Sequence, residues 1–213
     1  MTTRVLLADD HDLFRQGVRA LLDAEPGIEV VCEARDGRDA VELARRCRPD
    51  VAVLDVAMPE LNGVEAARQI VTHSPATRIV ALSIRGDRQT VSGMLRSGAH
   101  AYVHKSCDVG ELLKAIRAAV AGRRYLSPEI ASPVVEDYAH GGRGMAAGSR
   151  LSPREREVLQ LLAEGKSAKQ VGQILHVSSK TVHTHRQNIM AKLAIDSMPE
   201  LTKYAIREGI TAL

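Results

Sequence analysis

Aromatic residues are nearly missing from this chain: they make up 2% of its 213 residues, with no tryptophan and one phenylalanine, Phe14. Its core must therefore be packed with aliphatic side chains, and a stacking platform for single-stranded bases is excluded. Cysteine is also scarce. Cys32, Cys47 and Cys107 are odd in number and fit no metal or redox spacing, so they read as reduced, partly buried thiols. No apolar run approaches the ~20 residues of a membrane span. The first residues, Met1-Thr2-Thr3-Arg4, run straight into a strand pattern without a signal peptide. A soluble, cytoplasmic protein with no membrane partner is expected. Acidic residues are missing between Glu164 and Asp196, a span that holds five basic ones. From Leu151 onward nine basic residues face six acidic ones, so the whole net charge of +3 sits in this last segment. Such a local basic excess points to nucleic acid more than the overall charge does.

Short apolar runs, each closed by a polar residue, organise the first part of the chain. Val5-Leu6-Leu7-Ala8 is closed by Asp9-Asp10, Val51-Ala52-Val53-Leu54 by Asp55, Ile79-Val80-Ala81-Leu82 by Ser83, and Ala101-Tyr102-Val103-His104 by Lys105. Helical patterns separate them. The spacing predicts strands near 4–8, 29–33, 51–54, 79–83 and 101–103, with helices near 13–24, 38–47, 62–73, 88–97 and 108–122. This alternation means a five-stranded parallel sheet with crossover helices. Ligand sites in such sheets lie beyond the carboxyl ends of the strands, so the closing polar residues should converge on one crevice. Three carboxylates held together repel, which raises at least one pKa unless a cation intervenes, and an oxygen-seeking ion such as Mg²⁺ suits that role. Asp36 and Asp108 read as helix N-caps, and Asp12 as the cap of the first helix rather than a ligand.

Residues 126–149 are punctuated by Pro128, Pro133, Gly141, Gly142, Gly144, Gly148 and Ser149 and read as a linker, with a short helix possible over Ile130–Tyr138. From residue 150 to 213 the pattern is all helical. Ser152, Pro153 and Glu155 form a capping box that opens the first of four helices. Ser167 opens the second. Ser178 or Ser179 caps the third, which runs to about Leu193 with Val182, Ile189 and Leu193 facing inward. Ser197 opens the fourth, where Leu201, Tyr204 and Ala205 either close the small core or face a second copy.

Residues 1 to about 122 resemble the receiver domain of two-component response regulators. The resemblance rests on Asp9-Asp10, Asp55 followed by Met58-Pro59 and Gly63, Ser83 and Lys105, in the family's order and spacing. It implies a doubly wound, flavodoxin-like fold over residues 1–125. Asp55 would take a phosphoryl group from the phosphohistidine of a partner sensor kinase. Asp10, Asp55 and the Ala57 backbone carbonyl would hold Mg²⁺ directly, and Asp9 through water. Lys105 and Ser83 would meet the phosphoryl oxygens, and Tyr102 would reorient as a switch. Many receivers carry proline after the lysine with a cis bond before it; this chain has Ser106, which leaves the loop conformation open. Cys107 stands near that lysine, whose charge would lower a thiol pKa; an unreactive thiol is the preferred reading.

The tail resembles the LuxR-type helix-turn-helix of the NarL/FixJ group of bacterial response regulators. The residues that carry this are Leu151-Ser-Pro-Arg-Glu-Arg-Glu-Val-Leu159, Gly165-Lys-Ser167, Ser179-Lys-Thr-Val-His-Thr-His185, Ile189 and Lys192-Leu193. Gly172 departs from the alanine usual at its position, at about 1 kcal/mol of helix propensity. In such a domain the third helix enters the major groove of double-stranded DNA. With Val182 and Ile189 inward, His183, Thr184 and Gln187 share the outer face and are the candidate base readers, with Thr181 beside them. Lys166, Lys169, Lys180, Arg186 and Lys192 are candidates for phosphate contacts. The resemblance implies a homodimer, formed on phosphorylation or on DNA, with the last helix as the family's dimer contact. Two competitors stand beside a phosphorylation-controlled transcription factor. One is a constitutive DNA-binding protein that uses its receiver only to dimerise. The other is a Mg²⁺-dependent phosphatase with an aspartyl nucleophile, which Ala57 argues against because such enzymes often carry a second aspartate there.

Overall fold

A computed structural model describes residues 2–132 and 151–211. The chain forms two compact units, Met1–Gly141 and Gly142–Leu213. In the first, strands β1 (Thr3–Ala8), β2 (Ile28–Ala34), β3 (Val51–Asp55), β4 (Arg78–Ser83) and β5 (Ala101–His104) alternate with helices α1 (Asp12–Asp23), α2 (Gly37–Cys47), α3 (Gly63–His73), α4 (Arg88–Arg96) and α5 (Val109–Val120). All strands pair in parallel, in the order β2-β1-β3-β4-β5, with a short sixth strand beyond β5.

The two-residue side-chain period of the strands sorts the core into two layers. Leu6, Ala8, Ala52, Leu54, Ile79, Ala81 and Tyr102 pack with residues of α2, α3 and α4. Val5, Leu7, Val51, Val53, Val80, Leu82 and Val103 pack with residues of α1 and α5. Strands buried on both faces explain why the sequence shows unbroken apolar runs rather than alternation. The order reverses between β1 and β3, which opens a crevice beyond their carboxyl ends.

The expected five-stranded sheet has a sixth strand. β6 (Tyr125–Leu126) pairs beside β5, Ala101 opposite Tyr125 and Tyr102 opposite Leu126. Two residues carry no periodic signal, which is why the sequence reading missed it. A helix, α6, then starts at Pro128 and is described through residue 132, with Ile130 fully buried in the layer that holds Tyr102. The stretch read as linker from residue 126 thus begins inside the first unit. Pro133 to Ser149, and the part of the Ile130–Tyr138 helix beyond residue 132, lie outside the described residues.

Helix starts follow local chemistry. Asp36 accepts from the backbone N–H of Arg38 and Asp39, and Asp108 from that of Glu111. Asp12 does not cap α1. Its N-cap is His11, which makes no side-chain cap, while Asp12 is already the first helical residue and pairs with Arg15 at 2.5 Å. The N–H of His11 is taken by Asp9 Oδ1 at 2.9 Å.

The second unit contains α7 (Pro153–Ala163), α8 (Ala168–Leu175), α9 (Ser179–Leu193) and α10 (Met198–Arg207) around an aliphatic core. Full capping boxes open α7 (Ser152 with Glu155) and α8 (Ser167 with Gln170), and Ser178 caps α9. Gly172 has a steric reason: a Cβ there would stand 2.7 Å from the Val177 carbonyl oxygen, so the α8–α9 turn closes tighter than alanine permits.

Candidate functional site

Strand ends assemble the first site. Asp9 follows β1, Asp55 ends β3, Ser83 ends β4 and Lys105 follows β5, so parallel register delivers all four to the same edge. The Lys105 ammonium lies 2.7 Å from Asp9 Oδ2 and 2.8 Å from Asp55 Oδ2, with all three side chains at most 9% exposed. Asp55 Oδ1 accepts from the Ala57 N–H at 3.3 Å. Burial pushes the Asp55 carboxyl above the usual range; Lys105 opposes this and the Asp9 carboxylate adds to it. Burial works against the Lys105 charge, but Asp55 and Asp9 together raise its pKa. Two nearly buried anions thus share one cation.

Asp10 is an exposed residue beside this group. Carboxylate oxygens of Asp9, Asp10 and Asp55 and a ring nitrogen of His11 lie within 4.8 Å of one another. Three hard oxygen donors suit Mg²⁺, whereas the His11 nitrogen is a softer donor that Mg²⁺ does not select. His11 Nδ1 instead sits 3.3 Å from Asp9 and 3.0 Å from Asp10.

The loop after Asp55 is fixed by glycine. A Cβ on Gly63 would stand 2.1 Å from the Asp55 carbonyl oxygen, and the Gly63 N–H donates to Val56 O at 2.9 Å. Only hydrogen at this position lets α3 start so close to the end of β3.

Ser83 is fully buried, and its Oγ accepts from the Arg85 N–H at 3.0 Å. Tyr102 is also fully buried and donates its hydroxyl to the Arg85 carbonyl at 2.5 Å; burial pushes its pKa to about 12. Tyr102 therefore lies beneath the β4–α4 loop, inward and tied to it. The Lys105–Ser106 bond is trans. Cys107 is no activated thiol, since burial and then Asp108, Glu129 and Glu111 raise its pKa.

Two contributors escaped the sequence reading. Phe14, half-buried on α1, lies under Lys105, with Nζ 4.8 Å from the ring centroid. A cation–π contact of this kind links residues 91 apart, and no local pattern announces it. His104 bonds to Ile84 O at 2.9 Å through Nε2 and to Ser106 Oγ at 2.6 Å through Nδ1, tying the β4–α4 loop to the lysine loop. A polar ring at the end of an otherwise buried strand was the available signal.

On the second unit, Val182 and Ile189 of α9 are buried, while Lys180, Thr181, His183, Thr184 and Gln187 are exposed on its outer side. The Thr181 hydroxyl is partly engaged by the Ser178 cap at 2.8 Å, and the Thr184 hydroxyl donates to Lys180 O at 3.1 Å. Lys169 is exposed on α8, and Lys166 and Arg186 are half-buried. Lys192 has a partner within the unit. It pairs with both oxygens of Glu155, at 2.7 and 2.8 Å, because that carboxylate is almost fully buried and needs a cation. Leu201 and Ala205 of α10 are fully buried in the unit's own core, so neither is available to a second copy. Tyr204 is half-buried, under Arg207.

The family model of the response regulator receiver domain matches residues 5–117, and that of the luxR family of bacterial regulatory proteins matches residues 149–205. The transcriptional regulatory protein LiaR of Bacillus subtilis is 38% identical, over 97% of this chain and 98% of its own. A LuxR-family two-component response regulator from Aurantimonas, known as a crystal structure, is 39% identical with a TM-score of 0.63, over 65% of this chain and 99% of its own. The RcsB response regulator of Salmonella typhimurium is 28% identical with a TM-score of 0.60, over 95% and 97%. RcsB has also been solved as two dimers bound to two parallel DNAs. No helix among the described residues is long and apolar enough to cross a membrane. With buried carboxylates and a lysine at one end of its parallel sheet and a four-helix unit later in the sequence, the chain belongs to the NarL/FixJ response regulators, transcriptional regulators that join a receiver to a LuxR-type DNA-binding domain.

Proposed function

We propose that Asp55 accepts a phosphoryl group from the phosphohistidine of a sensor kinase in the bacterial cytoplasm, and that this event controls dimerisation and sequence-specific DNA binding. The observation that carries the reading is the shared lysine: Asp9 and Asp55 are held nearly buried around the Lys105 ammonium at one strand edge. Carboxylates are kept this close when the site must collect positive charge around an incoming anion. Asp10, Asp55 and the Ala57 carbonyl would hold Mg²⁺, with Asp9 acting through water; when bound, the ion neutralises charge on the transferring phosphoryl group. Asp55 Oδ supplies the nucleophile, Lys105 pairs with the phosphoryl oxygens, and Ser83 donates its hydroxyl to the same group. Tyr102 follows the β4–α4 loop that Ser83 draws inward.

The DNA-bound form is a homodimer with α9 in the major groove. His183, Thr184, Gln187 and Thr181 read bases, and Lys166, Lys169, Lys180 and Arg186 meet phosphates. Lys192, which also holds Glu155, is a further phosphate candidate. Recognition is then a direct protein–duplex contact, without stacked bases.

The test is binding of genomic DNA fragments by wild type and Asp55→Asn, each with and without a small phosphodonor plus Mg²⁺. The proposal requires wild type to gain affinity and the variant not to. Equal binding under every condition favours the alternative, a phosphorylation-independent regulator whose receiver serves only dimerisation. On the operator so found, Lys180→Ala should weaken all sequences alike and reduce the salt slope by about one, while Gln187→Ala should relax preference at one position.

A further inference from the structure

Arg15 stands three residues after Asp12 on α1, a spacing that reads as an ordinary ion pair on a helix surface. The fold buries it instead, leaving Arg15 4% exposed. A guanidinium this deep needs acceptors for its fork of N–H donors, and three elements supply them. Nη1 donates to the Asp9 carbonyl oxygen at 2.6 Å. Nη2 donates to Asp12 Oδ1 in the first turn of α1 at 2.5 Å. Nε faces Glu33 Oε2 of β2 at 3.3 Å. The Asp9 carbonyl belongs to the peptide that joins Asp9 to Asp10. The other polar atoms of Asp9 are held as well: its N–H donates to Ala34 O at 3.2 Å, Oδ1 accepts from the His11 N–H at 2.9 Å, and Oδ2 meets Lys105. The Asp10 side chain is 31% exposed and has the exposed His11 ring at 3.0 Å for a neighbour. The direction of its carboxylate is therefore set mainly by its backbone, and so by the peptide that Arg15 holds.

We infer that Arg15 is a positioning residue for the acidic pair: by pinning the Asp9–Asp10 peptide, it aims the Asp10 carboxylate at the divalent cation that the proposed function places between Asp10 and Asp55. The inference rests on that reading of the site. Arg15 acts through the backbone carbonyl of Asp9, which it binds directly. Its charge alone would work the other way, since a nearby cation repels a divalent ion. What matters is the planar fork, which ties the acid-pair loop, the first turn of α1 and β2 to one rigid group. Lysine keeps the charge but offers a single ammonium, and does not span these three acceptors in the same geometry. Residues that hold a metal ligand in place without touching the ion carry about 10- to 100-fold of metal affinity.

The experiment titrates the full chain with Mn²⁺, an oxygen-bound ion whose free form gives a paramagnetic resonance signal, and then displaces it with Mg²⁺. Arg15→Lys should weaken both ions about 10- to 100-fold, while urea unfolding shows the first unit still folded. Phosphoryl uptake from a small phosphodonor should need correspondingly more Mg²⁺ but reach nearly the wild-type rate at saturation. Glu33→Gln loosens the fork from the β2 side and leaves an acceptor in place, so it should lose affinity in the same direction by a smaller factor. Wild-type or tighter metal binding by a folded Arg15→Lys would overturn the inference, as would a fall in the saturated rate with affinity unchanged. If Arg15→Lys does not fold, Glu33→Gln decides, and wild-type affinity there overturns the inference too. Asp10→Asn separates this role from the metal reading beneath it. Loss of Mn²⁺ binding in Asp10→Asn with none in Arg15→Lys removes only the positioning role; wild-type binding in Asp10→Asn removes both.

Discussion

Replacing Lys105 by methionine keeps most of the side chain's bulk and removes its charge, which isolates what the ammonium does. Nζ stands 2.7 and 2.8 Å from two carboxylate oxygens. At an effective dielectric of about 20, each contact gives about 6 kcal/mol of Coulomb attraction, most of which offsets the cost of burying three charges. With the lysine gone, Asp9 and Asp55 face each other within 4.8 Å. At that dielectric and distance their repulsion is about 3.5 kcal/mol. This agrees with the ~3–5 kcal/mol usual for breaking a buried pair from one side. Lys105→Met should therefore cost the first unit about 3–5 kcal/mol at neutral pH without added divalent cation. Hydrogen exchange of β1 and β3 peptides reads that unit separately from the second. In an Asp9→Asn background, the same replacement should cost less than half as much, since one of the two facing charges is gone. Lowering the pH far enough to protonate Asp55, whose pKa is already raised by burial, should shrink the loss too. A loss under about 1 kcal/mol, or one unchanged by Asp9→Asn, would refute the charge argument and make Lys105 a packing residue.

Phe14→Leu keeps an apolar side chain in its half-buried place but removes the ring beneath Lys105; about 0.5–1 kcal/mol of lost cation–π attraction predicts a two- to five-fold slower phosphoryl uptake from a small donor, with Phe14→Tyr near wild type. Gly63→Ala forces a Cβ against the Asp55 backbone, so unfolding in urea should show about 1–3 kcal/mol of lost stability and phosphorylation should fall in parallel; a wild-type result would mean that the loop gives way freely. For Glu155, burial alone would raise the carboxyl pKa, but Lys192 and the Ser152 cap overcome this and hold it below the usual range. A depressed folded pKa gives stability that is present above the unfolded value and lost as pH falls through the folded one. The second unit should therefore weaken below about pH 4.3, and Glu155→Ala, itself costing about 1–2 kcal/mol, should flatten that acid limb in thermal melts followed by circular dichroism.

The parallel sheet was legible because strands buried on both faces are continuous apolar runs, and each run ended in a residue with visible chemistry. Convergence of Asp9, Asp55, Ser83 and Lys105 followed from the topology alone. What sequence could not reveal depends on contact rather than period. β6 is too short to alternate, and Phe14 reaches Lys105 across two elements. Asp12 was misread for the same reason: its pattern suits a cap, but it already stands inside the helix, paired with Arg15, and the Glu155 partner of Lys192 is likewise a contact that no local pattern announces. Gly172 looked like a departure costing helix propensity, and became intelligible once Val177 O was found where a Cβ would go.

Charge balance suggests how a chemical event at Asp55 reaches the rest of the receiver. In the unphosphorylated protein two nearly buried carboxylates share one ammonium, so the crevice carries an excess negative charge. Phosphorylation replaces the single charge of Asp55 with about −1.5 to −2 and adds strong acceptor oxygens. Lys105 cannot serve both Asp9 and the new group equally, and Ser83 is the adjacent hydroxyl donor. The residues after Ser83 form the β4–α4 loop, where Ile84 O is held by His104 and Arg85 O by Tyr102. Any pull on Ser83 must break or carry along both bonds. Tyr102 is fully buried, so it can follow the loop only by changing rotamer within a packed core, which makes the response discrete rather than graded. A switch built this way needs differential contacts in its two states and no long-range wire. On the proposed function, those contacts would be Lys105 with its two carboxylates and Tyr102 with Arg85.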